Sequence, residues 1–527
     1  MYLKQMAFAI MQNGMIPAVI FAVLSGAFVF FAGLKFLQAL QQSGYDGGSF
    51  FRWTVRKDNV YTVRLLSVSL MGLLSFLLID ATLLPFAEDE RLFYLGFSFF
   101  ALLLVGYIIK DFRTKSKVPL KFTPRVKRLS ACFAVLALAA CFGVFVLVEF
   151  AFSGADRNGV VFKLRHALLC LFPLILPLVL LLAHAVLSPF EKLNNKKYVR
   201  KCVAALDGRP DLIKIGVTGS YGKTGVKEIL STLLSQRFSV LKTPESYNTP
   251  MGICRTVNGL KPTHEAFVAE MGARRVGDIA ELAGMVRPRY AVITGITCQH
   301  AETFGSVEAV KRTKFELIES LPEDGFAVFS SDSEGALDLM KKCKVKCCAA
   351  GVLKVEGSLV WAEDIEVTPY GTGFTLCTKD ERLKCNTVLL GKHNVSNICL
   401  SCAIALEIGL SFSEIAAGIN AITPVNHRLN VISTDGGVTV IDDAYNASDK
   451  GAAAAMEVLD CFSGRKIVVT PGLVELGKME EERNFALGKL IAAHADKVIL
   501  VGKRRTGDVK DGLVSAGFAE ENITSVS

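Results

Sequence analysis

Hydrophobic residues are distributed unevenly along this chain. Five long apolar stretches occupy the first 190 residues, at roughly 16–40, 65–86, 92–109, 129–152 and 166–187. Each is close to the roughly 20 residues that a helix needs to cross a bilayer. Further along, short apolar β-rich runs alternate with segments of helical spacing, which predicts a mostly parallel α/β sheet. We therefore expect an α-helical membrane domain of about five spans over residues 1–200, followed by α/β domains.

The charge pattern gives the predicted membrane domain an orientation. Basic residues are concentrated in 110–128 and in 192–201, whereas the loop 88–90 is acidic. Positively charged loops stay on the cytoplasmic side of a membrane. We expect a multi-pass membrane protein, with its N-terminus outside and everything after residue 190 in the cytoplasm. The same loops carry much of the net charge of +9, so this charge is not a signal for nucleic acid.

The candidate chemistry centres on the segment 215–224, which reads IGVTGSYGKT. A predicted buried strand, 213–218, precedes two glycines, and helical spacing follows over 226–234. A strand, a glycine-rich loop and a helix in this order form a cradle for phosphate, because backbone N–H groups at the helix N-terminus point at the anion.

Two side chains of this loop complete the predicted phosphate site. Lys223 can neutralise charge on β- and γ-phosphates, and the Thr224 hydroxyl can hold Mg²⁺. Val217 stands where the strict pattern has glycine. A glycine-rich turn that binds nothing is therefore the alternative interpretation.

Three further residues follow predicted strands of the same sheet. Glu270 comes directly after one strand, His300 follows the next, and Lys314 lies in the helix after that. Ligands of parallel sheets bind beyond the carboxyl ends of the strands, so we expect these residues near the phosphate loop. From the residues alone, two simpler interpretations stay open: His300 as an ordinary loop histidine, and Lys314 as a helical lysine paired with Glu316.

The order of these motifs resembles that of the Mur ligase family. The matching segments are 219–224, 270–272, His300 with 314–316, 391–397, Arg428 with 442–446, and 475–477. The resemblance covers roughly residues 205–527, and it is strongest to the branch of the family that adds D-alanyl-D-alanine to a muramyl tripeptide. It implies a P-loop central ATP-binding domain over 205–424 and a Rossmann-like C-terminal domain over 425–527.

The resemblance implies an ATP-dependent, ADP-forming ligase of peptidoglycan precursor synthesis. In such enzymes a carboxylate attacks the γ-phosphate to give an acyl phosphate, and an amine then displaces the phosphate. Because several anionic groups must converge, catalysis depends on positioning and electrostatic stabilisation. The expected partners are a muramyl-peptide precursor linked to UDP or to lipid, an amino acid or dipeptide, and membrane lipid, with no nucleic acid.

The resemblance also assigns roles to individual residues. The expected catalytic residues are Lys223, His300, Lys314 and Arg428. ATP is expected to contact Gly219, Ser220, Tyr221, Gly222, Lys223, Thr224, Asn394, Asn397, Arg428 and Asp443. Lys314 is expected to be carbamylated, which would give it anionic oxygens suited to a hard cation. Two Mg²⁺ ions are expected, and their ligands are Thr224, Glu270, His300 and Lys314.

The remaining assignments concern the surroundings of the nucleotide. Asn394 and Asn397 would lie against adenine, the alternative being that they cap a helix. Arg428 and Asp443 belong to a domain that closes over ATP in the family, so we expect them to lie far from the loop in an open state. Asn248 is expected near the substrate.

The chain departs from the family pattern in three places. The predicted spans stand where the family has a separate UDP-binding domain, which makes a lipid-linked muramyl peptide a credible substrate. Residues 470–474 differ from the family block, and Asn484 replaces a histidine, so we expect a different pocket for the second substrate. The sequence stops about a hundred residues into the last domain, and we expect that domain to be incomplete.

Other functions stay open at this point. A ligase of the same fold could act on a lipid-linked muropeptide or a γ-glutamyl polymer. A transporter subunit driven by ATP is a hypothesis of another class, but the chain has no ATP-binding-cassette signature. A catalytically inactive scaffold is a third, and the intact Lys223, Thr224, Glu270, His300 and Lys314 argue against it.

Overall fold

The computed structural model describes most of the chain. The described residues are 23, 26–56, 59–82, 91–114, 119–151, 167–168, 170–297, 304, 306–434, 436–444, 448–474, 476, 479–502 and 505–526. The chain divides into two compact units, Met1–Asn195 and Lys196–Ser527.

The first unit is helical. Its elements are α1 (Leu34–Gln42), α2 (Gly47–Thr54), α3 (Val60–Thr82), α4 (Arg91–Arg113), α5 (Pro124–Ala151), a 3₁₀ turn (Phe172–Ile175) and α6 (Leu176–Asp207). Asp46 caps α2 by accepting a hydrogen bond from the Ser49 N–H at 3.1 Å, which satisfies a donor that the helix itself leaves free. Phe36, Phe50 and Phe133 are fully buried in its core.

The membrane prediction is supported only in part. Within the ranges given above, two helices are long and apolar enough to cross a membrane, Pro124–Val144 and Phe172–Asp207. A shorter apolar helix, Val60–Ser75, is also found among the described residues. The described residues therefore give two candidate spans and not the predicted count of about five, and parts of the predicted spans lie outside the description.

The second unit begins with a nine-stranded sheet in the order β2-β3-β1-β4-β5-β6-β7-β8-β9. Its strands are β1 (Ile213–Thr218), β2 (Val240–Lys242), β3 (Ala266–Glu270), β4 (Tyr290–Ile293), β5 (Phe326–Ser330), β6 (Lys346–Gly351), β7 (Ser358–Thr368), β8 (Gly371–Cys377) and β9 (Arg382–Thr387). The strands from β2 to β7 in this order pair in parallel, and β8 and β9 add antiparallel. The predicted parallel α/β sheet is confirmed.

Helices cover both faces of this sheet. They are α7 (Lys223–Leu234), α8 (Pro250–Val257), α9 (Asp278–Val286), α10 (Val307–Glu319), α11 (Glu334–Met340), α12 (Lys392–Ile408) and α13 (Phe412–Asn420). Helices α7, α12 and α13 share one apolar core, and α8 to α11 share the other. Because each face is covered, β1 is apolar on both sides and buried almost throughout.

Strand β1 is the centre of the arrangement that matters for function. It pairs with β3 on one side, where Val217 lies opposite Glu270, and with β4 on the other, where Thr218 lies opposite Ile293. The carboxyl ends of the three strands therefore meet at one edge of the sheet. Strand order reverses there, as it does at the ligand-binding crevice of doubly wound sheets.

The C-terminal residues form a smaller α/β layer. Its elements are β10 (Asn430–Ser433), β11 (Thr439–Asp442), α14 (Asp449–Asp460), β12 (Ile467–Thr470), α15 (Glu480–Ala492), β13 (Lys497–Val501), α16 (Thr506–Ser515) and β14 (Ile523–Val526). Strands β10 and β11 are antiparallel, and β12, β13 and β14 form a parallel sheet of three. The expectation that this domain is incomplete stays a prediction.

Candidate active site

The loop between β1 and α7 depends on its glycines. Gly219 has φ +155°, and a Cβ built there would lie 2.0 Å from the Thr294 hydroxyl oxygen. Gly222 caps α7 with φ +79°, in the left-handed region that side chains rarely adopt. Only glycine fits both positions without strain, so the sequence folds here into a tight turn that leads directly into the helix N-terminus.

Residues that follow strand β4 hold this loop in place through hydrogen bonds. The backbone N–H of Ser220 donates to the carbonyl of Gly295 at 2.7 Å, and the hydroxyl of Thr294 donates to the carbonyl of Tyr221. The Thr297 N–H donates to the Ser220 hydroxyl at 3.2 Å. The phosphate loop is therefore preorganised by the residues that follow β4.

Lys223 places a cation within the loop. Its Nζ donates to the carbonyl of Gly219 at 2.7 Å and to that of Ser220 at 3.2 Å. Burial lowers the pKa of this ammonium, the Glu270 carboxylate opposes that shift, and the charge of Arg428 adds to it. The predicted positive charge is thus present where a phosphate would be bound.

Glu270 connects the predicted metal and substrate residues. Its carboxylate is 1% exposed at the end of β3. The Thr224 hydroxyl donates to its Oε2 at 3.0 Å, and the Asn248 amide donates to its Oε1 at 3.0 Å. The structure thus brings together three residues that the sequence placed at one site, and the carboxylate and hydroxyl oxygens suit Mg²⁺.

Lys227 also belongs to this cluster, and sequence reasoning missed it. Its side chain is fully buried, and Nζ lies 3.5 Å from Glu270 Oε2 and 3.2 Å from Glu228 Oε1. It also donates to the Glu245 carbonyl. The sequence carries one signal that could have identified Lys227: a lysine four residues after Lys223 lies on the same face of the helix α7. A buried lysine needs such partners, and here it holds the Glu270 carboxylate in place.

Lys314 is a buried amine. It is 3% exposed in α10, and it makes no hydrogen bond or ion pair with the residues that the structure describes. Burial, reinforced by the charge of Lys223, lowers its pKa to about 7. Glu316 instead accepts hydrogen bonds from Gly277 and Ala280 at 2.8 and 2.9 Å. The alternative interpretation, a helical lysine paired with Glu316, is therefore wrong.

His300 lies outside the described residues. The undescribed residues 298–303 follow the end of β4 after four residues. Its expected roles as a catalytic residue and a metal ligand stay predictions.

The two asparagines differ in what they contact. Asn394 donates its side-chain amide to the Leu390 carbonyl at 2.9 Å. It does not cap the helix α12, whose N-cap is Gly391 without a side-chain cap hydrogen bond. Asn397 is buried behind the phosphate loop, since Cβ atoms built on Gly222 and Gly225 would lie 2.9 and 3.0 Å from its amide. Contact of either residue with adenine stays a prediction.

Arg428 and Asp443 lie together in the C-terminal part. Burial raises the pKa of Asp443 to about 6, against the opposing effects of a Leu429 backbone hydrogen bond and the Arg428 charge. The residues on either side of Arg428 are strained, with φ +62° at His427 and +47° at Leu429. The charge of Arg428 contributes to the lowered pKa of Lys223. Because Lys450 of the C-terminal part contacts Tyr221 of the loop at 3.3 Å, the two parts do not show the separation expected of an open state.

Lys450 makes a second contact with the loop that the sequence did not reveal. Its Nζ lies 3.3 Å from the Tyr221 hydroxyl. The two residues are 229 positions apart, and no local pattern links them.

Asn484 has a structural role. It is fully buried, its side-chain oxygen accepts from the Leu473 N–H at 2.7 Å, and its amide donates to the Glu480 carbonyl at 2.8 Å. It therefore secures the loop 470–474. The expectation of a different pocket for the second substrate stays a prediction.

The metal-binding potential of the site rests on few protein ligands. Across the described ranges, no group of three or more His, Cys, Asp or Glu side chains is placed to hold a metal ion. Mg²⁺ commonly binds through one or two protein oxygens together with phosphate oxygens and water. The pair of Thr224 and Glu270 fits that mode.

Comparisons with known proteins agree with this site. The Mur ligase middle domain matches residues 217–405, and the Mur ligase glutamate ligase domain matches residues 427–525. The UDP-N-acetylmuramoyl-tripeptide–D-alanyl-D-alanine ligase of Escherichia coli is 32% identical over 291 residues, 55% of this chain and 64% of that protein. The enzyme of the same name from Mycobacterium tuberculosis is 31% identical over 353 residues, 64% of this chain and 67% of that protein.

Solved structures show the same relationship. A MurF ligase from Thermotoga maritima, determined in complex with ADP, superposes with a TM-score of 0.56 at 28% identity. The match covers 63% of this chain and 74% of that one. The chain spans less than two thirds of the length of the Escherichia coli relative. The phosphate loop lies within the residues that match the Mur ligase middle domain.

Proposed function

Because this chain belongs to the Mur ligase family, we propose that it is an ATP-dependent, ADP-forming ligase of peptidoglycan precursor synthesis. It joins the carboxylate of a muramyl tripeptide to the amine of D-alanyl-D-alanine. The names of the relatives support these substrates. The observation that carries the proposal is the convergence of Lys223, Thr224 and Glu270 on one glycine loop.

The loop residues bind and orient the nucleotide. The N–H groups at the start of α7 face the phosphates, and Lys223 offsets their charge. Thr224 and Glu270 would hold Mg²⁺, which supplies charge neutralisation between β- and γ-phosphate oxygens when it is bound. Lys227 helps to orient the Glu270 carboxylate, because its buried ammonium lies 3.5 Å from Oε2.

Lys314 is proposed to be carbamylated and to be a ligand of a second Mg²⁺ together with His300. Carbamylation needs a neutral amine to attack carbon dioxide. The low pKa of Lys314, about 7, supplies a large neutral fraction at physiological pH. The absence of a carboxylate partner among its described neighbours leaves this amine available.

The other expected site residues are proposed to bind ATP and the carboxylate substrate, so that the acyl phosphate can form and meet the amine. Arg428 is proposed to stabilise charge on the γ-phosphate, and Asp443 to contact the ribose or the metal region. Asn397 and Asn394 are proposed to face the adenine base, and Asn248, already bonded to Glu270, to face the carboxylate substrate. These side chains bind and orient, which is the main contribution of a protein to phosphoryl transfer.

The first unit is proposed to be a multi-pass domain of the bacterial cell membrane, with the N-terminus outside and the ligase in the cytoplasm. Two span-length helices support it. So do large exposed side chains on α3, α4 and α5: Leu74, Leu102 and Val135 are 58%, 69% and 64% exposed. Large apolar side chains exposed on several helices are expected of a surface that faces lipid.

A lipid-linked muramyl peptide is the second candidate substrate. The observation that favours it is this same apolar unit, which would bring the ligase to the membrane surface where such precursors reside. The reaction and its residues would be unchanged. Only the group attached to the muramyl phosphate would differ.

The test is phosphate release by the full-length protein with ATP, Mg²⁺ and D-alanyl-D-alanine. UDP-linked and lipid-linked muramyl tripeptide are supplied separately. Release with either acceptor supports the ligase, and the preferred acceptor decides between the two substrates. ATP turnover that is independent of acceptor and amine would refute the proposal.

A further inference from the structure

The C-terminal domain contacts the phosphate loop at the side chain of Tyr221. Lys450, in the first turn of α14, places Nζ 3.3 Å from the Tyr221 hydroxyl and 5.4 Å from the centroid of its ring. One ammonium thus makes a hydrogen bond and a cation–π contact with the same residue. The contact joins two domains across the candidate nucleotide site.

The tyrosine has little freedom to move without the loop. Its carbonyl accepts a hydrogen bond from Thr294. Its ring packs so closely on Gly295 that a Cβ built there would lie 2.3 Å from the ring. A change in the position of the ring would therefore shift the loop that carries Gly222 and Lys223.

The lysine is equally fixed to its own domain. Ser448 caps α14 by accepting from the Gly451 N–H at 3.1 Å, and Arg483 pairs with Asp449 at 3.1 Å. Further along α14, Val458 packs in one apolar cluster with Leu390 of the central domain. The position of the Lys450 ammonium therefore follows the position of the C-terminal domain over the loop.

The charges around the loop explain why a tyrosine suits this contact. Arg428 and Lys223 are close enough for the Arg428 charge to lower the pKa of Lys223, so the closed arrangement brings cations together. A carboxylate facing Lys450 would offset this repulsion but would also repel ATP. The hydroxyl and ring of Tyr221 attract the ammonium without adding a negative charge.

We propose that the Tyr221–Lys450 contact holds the C-terminal domain closed over the phosphate loop. Lys450 is a positioning residue, since it acts through the loop. The inference rests on the proposed function for its effect on nucleotide binding. The contact itself is independent of that proposal, since it is given by the distances between Lys450 and Tyr221.

The experiment compares Lys450→Met, Tyr221→Phe and the double variant in the full-length protein. ADP affinity is measured by calorimetry, and hydrogen–deuterium exchange is followed in segments 219–224 and 448–460 with and without ADP. We expect Lys450→Met to weaken ADP binding about three- to tenfold and to raise exchange in both segments. In the Tyr221→Phe background the further effect of Lys450→Met is expected to be smaller, because the two residues act through one contact.

Lys489→Met is the matched control. Lys489 lies over the ring of Phe485 at 4.8 Å, a contact of the same kind made within the C-terminal domain. This variant should bind ADP as the wild type does and leave exchange of the loop unchanged. If it weakened binding as much as Lys450→Met, the loss would be a general effect of removing charge, and the proposal would fail.

Two other results would overturn the proposal. One is a rate of hydrogen–deuterium exchange in segments 219–224 and 448–460 of Lys450→Met that equals the rate in the wild type. The other is weaker ADP binding with no coupling to Tyr221→Phe, which would make Lys450 a direct phosphate contact. If the wild type bound no ADP, the proposed function would fail, whereas the exchange measured without nucleotide would still decide whether the contact holds the domains together.

Discussion

The central sheet and the C-terminal domain both contribute charged residues to the phosphate loop, but they hold them differently. Glu270 ends a buried strand and is fixed by Thr224, Asn248 and Lys227 at once. Arg428 stands on a connecting segment between two residues of positive φ. The sheet thus supplies a rigid, preorganised half of the site, and the C-terminal domain supplies a half whose position depends on closure.

This difference predicts which changes should abolish the reaction and which should only weaken binding. Residues fixed by the sheet act on phosphate charge in every state of the protein. Residues of the C-terminal domain act only when that domain lies over the loop. The predictions below test this distinction in order of decreasing effect.

Lys223→Ala should reduce phosphate release by at least about 10³-fold, because the loop loses the cation closest to the transferred phosphate. The measurement is acceptor-dependent phosphate release. The melting temperature of the variant should stay near that of the wild type, since no apolar core is altered. Turnover comparable to the wild type would show that this loop does not serve ATP.

Lys314→Ala should reduce the rate by about 10²- to 10³-fold, because the proposed carbamate ligand would be lost. If the lysine is carbamylated, a short carboxylate such as acetate or propionate should restore part of the rate by occupying the vacated space. Lys311→Ala is a suitable control, since Lys311 is on the same helix and pairs with Asp338 at 3.0 Å. An active variant that needs no rescue would eliminate the carbamate.

Asp443→Asn should raise the KM for ATP about tenfold at pH 7.5, the loss expected for one hydrogen bond to a charged group. The pKa of Asp443 is raised to about 6, so the wild-type carboxylate becomes protonated as the pH falls through 6. The KM for ATP of the wild type should therefore rise between pH 7 and pH 5.5, and that of the variant should change less. Equal profiles would exclude Asp443 from the nucleotide site.

Protonation of Asp443 should weaken ATP binding but stabilise the folded protein. The pH dependences of ATP affinity and of stability therefore have opposite signs. A carboxyl whose folded pKa is raised binds more protons in the folded state than in the unfolded state between about pH 4 and 6. Its contribution to the free energy of unfolding is therefore present below pH 4 and is lost as the pH rises through 6. Asp443→Asn should remove that part of the slope.

Asn484→Ala should lower the free energy of unfolding by about 1–3 kcal/mol, because the Leu473 N–H would be left buried without an acceptor. Thermal unfolding measures it. The KM for D-alanyl-D-alanine should be nearly unchanged, since the side chain of Asn484 bonds to the backbone of the loop 470–474 and to Glu480. A large change in that KM with an unchanged melting temperature would instead assign Asn484 to the pocket of the second substrate.

Local pattern was enough to predict the half of the site built by the sheet. The strand 213–218 has the predicted bounds. Its apolar run and the glycines that follow are local signals, because they determine the backbone conformation of neighbouring residues. Glu270 could be placed because it ends a strand of the same sheet. Lys227 and Lys450 were missed, since their importance comes from burial and from a contact 229 residues away.

The first unit shows a different limit of the sequence. Apolar composition predicted helices correctly, and two of the helices among the described residues are long and apolar enough to cross a membrane. Length and composition alone do not distinguish a membrane span from the buried helix of a soluble protein, so the number of spans stays a prediction. Asn394 shows a similar limit, because a motif match does not reveal that its amide already bonds to Leu390.

The most direct test of the central claim is phosphate release by the full-length protein with ATP, Mg²⁺, D-alanyl-D-alanine and a muramyl tripeptide, omitting one component at a time. The account predicts release only when all four are present, with ADP and the amide product formed in equal amounts. Equal release of phosphate without the tripeptide or without the amine would contradict it, because a ligase couples the cleavage of ATP to the formation of one amide bond.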